Sequence, residues 1–189
     1  MPARRLTTYQ YLATPETALP QELVWGVLRD AAAPSARHQW TLVRLLLALV
    51  RHVDERGLGT VLPSPIDVVL DGERGLVVQP DLVVISRERD EIVTDRVWGA
   101  PDLTVEILSP HPRIGHLDER LEWFARYGVR ECWLIHQIER EVEVLGFEAG
   151  TIGTRRRCAS DSPITSVVLP DFDLSLDTIL RGRGDGSGY

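Results

Sequence analysis

Gly99-Ala100-Pro101-Asp102-Leu103-Thr104-Val105-Glu106-Ile107-Leu108-Ser109-Pro110 is the stretch on which the fold turns. Leu103, Val105, Ile107 and Leu108 give it the near-continuous apolar character of a strand buried on both faces. Two acids interrupt it, Asp102 at its entrance and Glu106 in its middle. A carboxylate among buried apolar neighbours is costly unless something pairs with it. Glu106 therefore needs a metal ion, an arginine or a raised pKa. Asp102 has the simpler reading of a strand-entry residue. Upstream, Gln79-Pro80-Asp81-Leu82-Val83-Val84-Ile85 repeats the form with its own Pro-Asp entry. Pro-Asp is also ordinary turn chemistry, so Asp81 taken alone carries both readings. Carboxylates brought to one place by adjacent strands are a usual way to hold a divalent cation.

Working outward, the rest of the chain alternates strand and helix signals. Thr7–Leu19 reads as a short helix or arm, and Gln21–Arg29 as strand with Gly26 as a kink or hairpin turn. Ser35 is placed to cap a helix over Ala36–Arg56, ended by Gly57 and Gly59. Trp40, Val43, Leu46, Leu47, Val50 and Val53 recur there at helical spacing. Strands are expected at Thr60–Leu62, Ile66–Leu70, Gly75–Ile85 and Asp102–Leu108, with Arg87–Trp98 a charged connection. Gly115–Tyr127 returns to helical spacing and Gly128 closes it. Glu131–His136 and Val142–Phe147 form a hairpin-like pair, Ile164–Leu169 a further strand, and Leu176–Leu180 a terminal helix. Arg181–Tyr189 is glycine-rich and expected to be flexible. This is one α/β domain over 1–180, with an N-terminal arm and a tail at 181–189.

A chain of 189 residues suffices for one domain with a fair-sized core. No apolar run reaches the ~18–20 residues that span a bilayer, and Trp40–Val53 is broken by Arg44 and Arg51. The N-terminus lacks the apolar core of a secretory signal. Cys132 and Cys158 have no metal-type spacing and read as thiols in a reducing cytoplasm. The net charge of −7 argues against a dedicated nucleic-acid coat protein but not against a nuclease, whose metal-binding acids add negative charge. Arg155-Arg156-Arg157 is the one dense basic cluster, read as a solvated turn. No G-x-S-x-G elbow, Walker-type loop or G-x-G-x-x-G follows a strand.

Several of these segments occur in a telling order. Glu22-Leu23 and Gly26 come first, then His38 at the start of the long helix and Gln79-Pro80-Asp81-Leu82. The Gly99–Pro110 stretch follows, and then Gly128-Val129-x-Glu131-x-Trp133-Leu134-Ile135. The set, spanning about Thr7 to Leu180, resembles the Uma-two-like restriction endonucleases of the PD-(D/E)xK nuclease superfamily. The resemblance implies a restriction-endonuclease-like fold, a mixed central β-sheet flanked by helices. It implies that Asp81 and Glu106 on neighbouring strands share a Mg²⁺ or Mn²⁺ ion, with an oxygen from the Ile107 carbonyl, and that Glu22 is an additional acid. It implies a DNA partner and, as in many superfamily members, a homodimer.

The superfamily lysine two residues after the glutamate is here Leu108. In this branch the lysine resembles one moved to the following helix in a D-x-x-x-K-x-x-x-Y arrangement, whose positions are occupied by His116, Arg120 and Phe124. Arginine keeps positive charge and can clamp a phosphate, but it does not readily lose a proton to act as a base. His116 could accept a proton near neutral pH. The expectation is a Mg²⁺-dependent endodeoxyribonuclease with Glu22, Asp81, Glu106 and Arg120 as site residues, and with Asp102, His116 and His38 as accessory candidates. The alternative is a weakened or inactive nuclease-fold protein acting as a binding or assembly module. A hydrolase for another phosphate ester is a third reading.

Overall fold

The computed structural model describes residues 5–15, 20–30, 33–108 and 117–181. The expectation for the tail at 182–189 lies outside the described residues.

A short helix, α1 (Thr8–Leu12), begins at a capping box made by Thr7 and Gln10. It leads to a hairpin of β1 (Gln21–Val24) and β2 (Val27–Asp30). Its two-residue turn, Trp25-Gly26, has both φ angles positive, at 52° and 80°. Two-residue turns of this hand match the twist of the paired strands. α2 (Ala36–Arg56) starts at Ser35, whose hydroxyl accepts from the His38 amide. It stops at Gly57, which takes the left-handed conformation that favours glycine at a helix end.

The remaining strands are β3 (Gly59–Pro63), β4 (Val68–Asp71), β5 (Leu76–Val78), β6 (Leu82–Ser86), β7 (Val97–Trp98), β8 (Leu103–Leu108), β9 (Glu131–His136), β10 (Glu141–Glu148) and β11 (Thr151–Ala159). α3 (Leu117–Tyr127) joins β8 to β9, and α4 (Leu176–Leu180) is capped by Ser175. The strands form two mixed sheets. One runs β2-β1-β5-β4-β7, the other β11-β10-β9-β8-β6-β3. β8 and β9 are parallel, as a crossover through a helix requires.

The expected mixed α/β architecture flanked by helices is present, with its strands divided between two sheets. The division falls inside Gly75–Ile85, expected as one strand. Gln79-Pro80-Asp81 breaks it, leaving β5 in the first sheet and β6 in the second. Proline cannot donate to a ladder, so the chain changes sheets there. Ile164–Leu169 forms no strand; only an isolated bridge, Pro163 to Ser175, forms nearby. Arg155-Arg156-Arg157 lies in β11 rather than in a turn, with Arg155 on Glu143 and Arg157 on Glu141.

The six-stranded sheet has a core on each face. On one side α2 and the C-terminal segment bury Leu45, Leu49, Val53, Trp133 and Phe172. On the other, α3 packs Leu121 and Phe124 with Val83, Ile85, Cys132 and Leu134, and the smaller sheet adds Val68, Leu76 and Val78. Both cysteines are buried free thiols. No helix among the described residues is long and apolar enough to cross a membrane.

Candidate active site

Successive residues of β8 point to opposite faces of the sheet. Leu103, Val105 and Ile107 enter the α2 core. Glu106 has the other parity and lies under α3. β6 runs antiparallel beside β8, with Leu82 opposite Val105 and Val83 opposite Thr104. One step further along this register sets Asp81 opposite Glu106. Glu22 comes from β1 of the other sheet and is 4% exposed.

Arg120 of α3 joins two of these acids. Its Nε donates to Glu106 Oε1 at 2.6 Å, and its Nη1 donates to Glu22 Oε1 at 2.7 Å. The guanidinium lies over the Phe124 ring, 5.5 Å from its centroid. Glu22 Oε1 also accepts from the Gln79 amide at 2.7 Å, which ties the sheet-switching segment to β1. Asp81 Oδ2 accepts from the Ile107 amide at 2.7 Å and faces His38 Nε2 at 3.2 Å. Ser35, by capping α2, sets the turn from which His38 reaches Asp81.

Three carboxylates thus share one guanidinium and one imidazole. Burial pushes the Glu106 carboxyl up to about 7; the Arg120 charge opposes this, while Asp81 and Glu22 add to it. Burial disfavours the charged form of Arg120, but Glu106 and Glu22 outweigh it and raise its pKa. Burial alone would lower His38, yet its hydrogen bond to Asp81 and the charges of Asp81 and Glu106 leave it raised.

The donor set suits a hard cation. Magnesium prefers oxygen, keeps several waters and needs only one or two carboxylates from the protein. The described bonds use Oδ2 of Asp81 and Oε1 of Glu106, which leaves a second oxygen on each acid. Among the described residues no three His, Cys, Asp or Glu side chains converge as a metal cluster. Arg120 instead pairs with Glu22 and Glu106 through its own hydrogen bonds.

The structure brings together Glu22, Asp81, Glu106, Ile107, Arg120 and His38. Asp102 lies elsewhere, at the opposite end of β8. It is 1% exposed, accepts from the Ser86 amide at 2.8 Å and pairs with Arg89 at 3.3 Å. His116 lies outside the described residues. Gln79 was legible only as part of a motif, yet its amide holds Glu22 and its side chain donates to Asp67. Asp67 in turn accepts from Tyr11 and pairs with Arg96. No spacing in the sequence signals this second layer, because its members come from four distant segments.

The sequence matches the family described as "Uma2: Putative restriction endonuclease" over residues 8–177. No curated protein matches it. Among solved structures it is similar to a "putative nuclease belonging to DUF820" from Anabaena variabilis, with 17% identity and a TM-score of 0.76. The alignment covers 93% of this chain and 97% of the other. At that identity the likeness is one of fold.

Proposed function

From the premise that the chain belongs to the Uma2 restriction-endonuclease family, we propose that it is a metal-dependent endonuclease hydrolysing phosphodiester bonds in DNA and working as a homodimer. One observation carries this reading. Arg120 of α3 bonds two acids from separate segments, Glu22 and Glu106, and Asp81 stands beside Glu106 on the neighbouring strand. A carboxyl whose pKa is raised by burial while it faces a specific charge partner marks a candidate functional site.

Asp81 and Glu106 would hold the Mg²⁺ or Mn²⁺ ion, with the Ile107 carbonyl as a further oxygen and Glu22 as support. When bound, such an ion polarises the phosphate and lowers the pKa of a water. His38 fixes the Asp81 carboxylate through its 3.2 Å contact. Arginine has five N–H donors, and the described bonds of Arg120 use two of its nitrogens. The remaining donors suit a phosphate oxygen that gains negative charge as the P–O bond breaks. Buried free cysteines fit a reducing, cytoplasmic setting.

A second reading, a nuclease-fold module that binds DNA with weakened or no turnover, is favoured by the same Arg120. Its charge is locked by two acids, and it cannot serve as a proton acceptor. Arg120→Lys separates the two. On plasmid and single-stranded DNA with Mg²⁺ or Mn²⁺, the wild-type chain is expected to cleave slowly. The lysine variant is expected to cleave about a hundredfold faster, the low end of what a proton-transferring group contributes. Salt-dependent DNA binding by both proteins, without cleavage by either, would favour the second reading.

A further inference from the structure

The sheet register carries a row of side chains away from the Glu106 site. Glu106 lies opposite Leu134 on β9, Leu134 opposite Glu143 on β10, and Glu143 opposite Arg157 on β11. All four share the face on which Leu134 packs under α3. His136 and Arg155, each two residues along its strand, have the same parity and stand on that face too.

The row ends in a built cluster of charge. Glu143 Oε1 accepts from Arg155 Nη1 at 3.1 Å and stands 3.6 Å from Arg157 Nε, and Glu143 Oε2 stands 3.6 Å from His136 Nε2. Glu141 pairs with Arg157 Nη1 at 3.2 Å. The Glu143 side chain is 3% exposed, whereas those of Arg155 and Arg157 are 49% and 64% exposed. The acid is shut behind the arginines, so the charge turned to solvent is mainly theirs. These contacts leave Nε and Nη2 of Arg155, and Nη2 of Arg157, without a described partner.

We propose that Arg155 and Arg157 form a second anchor for the DNA backbone, holding phosphates of the strand that is cut at the Glu106 site. This rests on the nuclease reading of that site. Three strand spacings, about 14 Å, separate β8 from β11. A DNA strand carries one phosphate per about 3.4 Å of helix axis, so the anchor falls about four phosphates from the scissile one. The arginine fork matches phosphate geometry, and the buried carboxylate behind it sets its orientation. In a chain of net charge −7, a local basic patch is what draws in a polyanion. Charge on an edge strand also guards against sheet-to-sheet pairing. That role needs no acid buried behind the arginines. Arg156, on the opposite face of β11, has its guanidinium engaged by the hydroxyl and carbonyl of Thr165.

Fluorescence anisotropy on the full chain with an end-labelled DNA duplex, with calcium in place of magnesium, tests this over a series of salt concentrations. Arg155→Gln with Arg157→Gln is expected to weaken binding about tenfold or more at low salt. The slope of log affinity against log salt should flatten by about two, close to one per lost phosphate contact. Arg51→Gln with Arg56→Gln removes the same charge from the C-terminal end of α2, on the other side of the sheet, and should leave the slope unchanged. Arg155→Lys with Arg157→Lys keeps the charge and should restore the wild-type slope, which misfolding would not allow. A glutamine pair with the wild-type slope, a lysine pair as flat as the glutamine pair, or an α2 pair that flattens it equally would overturn the anchor and leave the nuclease reading standing. A wild-type chain that binds no duplex would overturn both.

Discussion

Glu106→Ala is expected to remove divalent-ion-dependent DNA cleavage down to background, a loss of about a thousandfold or more. A bound ion contributes several kcal/mol to such a transition state, and each 1.36 kcal/mol is tenfold in rate. The same substitution leaves Arg120 with Glu22 as its remaining acid partner among the described contacts. Loss of activity alone would therefore not separate chemistry from folding. Glu106→Gln supplies that control. Its amide oxygen still accepts from Arg120 Nε, its shape is preserved, and it removes the ionisation that burial opposes. The glutamine variant should melt close to wild type and be equally inactive. Cleavage that survives either change would place the reactive centre elsewhere or belong to a contaminant.

Asp102→Ala is expected to be the most damaging single change to stability, costing about 3–5 kcal/mol, the range for breaking a buried ion pair by removing one partner. The side chain is 1% exposed and accepts from the Ser86 amide, and it faces Arg89 at 3.3 Å and Arg130 at 3.5 Å. Its own carbonyl accepts from the Arg130 and Glu131 amides. It thereby fastens β6, β8 and β9 at one end. In a chain of this size the melting temperature should fall by about 10 °C. The pH dependence is diagnostic. Burial would raise this carboxyl, but the Ser86 amide and Arg89 outweigh it and hold it below the usual value of 3.8. A lowered folded-state pKa gives stability that is complete above the unfolded value and is lost as pH falls through the folded one. The gap in urea midpoint between wild type and Asp102→Asn should stay constant from pH 7 to about 4 and close below that. A gap that instead widened in acid would show that charge at Asp102 does not hold the strands.

Local signals in the sequence carried much of the fold. Ser35 and Gly57 bracket α2 because capping chemistry acts over three or four residues. β8 was readable from its apolar run, and the Trp25-Gly26 turn from its glycine. The errors arose where an apolar run hid a change of partner. Gly75–Ile85 is apolar on either side of Pro80 because both halves are buried, yet each half pairs in a different sheet. Ile164 and Leu169 are buried without a ladder, since burial alone produces an apolar run. β11 went unseen because its Arg-rich stretch lacks alternation, although Glu141 and Glu143 on β10 supply the countercharges. For the site, Glu106 stood out as an acid inside an apolar strand. That Arg120 bonds two acids could not be read, because Glu22 lies 98 residues away and their meeting depends on how the two sheets pack.

One contact gives this protein an optical signal of its own. Trp25 follows β1, the strand that carries Glu22, and Trp123 sits three residues after Arg120 on α3. Their rings meet edge to face with centroids 6.1 Å apart, and the Arg29 guanidinium lies 5.9 Å from the Trp123 ring centroid. The indole pair therefore bridges the same two elements as the Arg120–Glu22 bond. Any event that loosens this bond alters the surroundings of an excitonically close pair, and the emission maximum and near-ultraviolet dichroism should change with it. Tryptophan emission should then report the ion uptake proposed for the acid cluster, without a substrate.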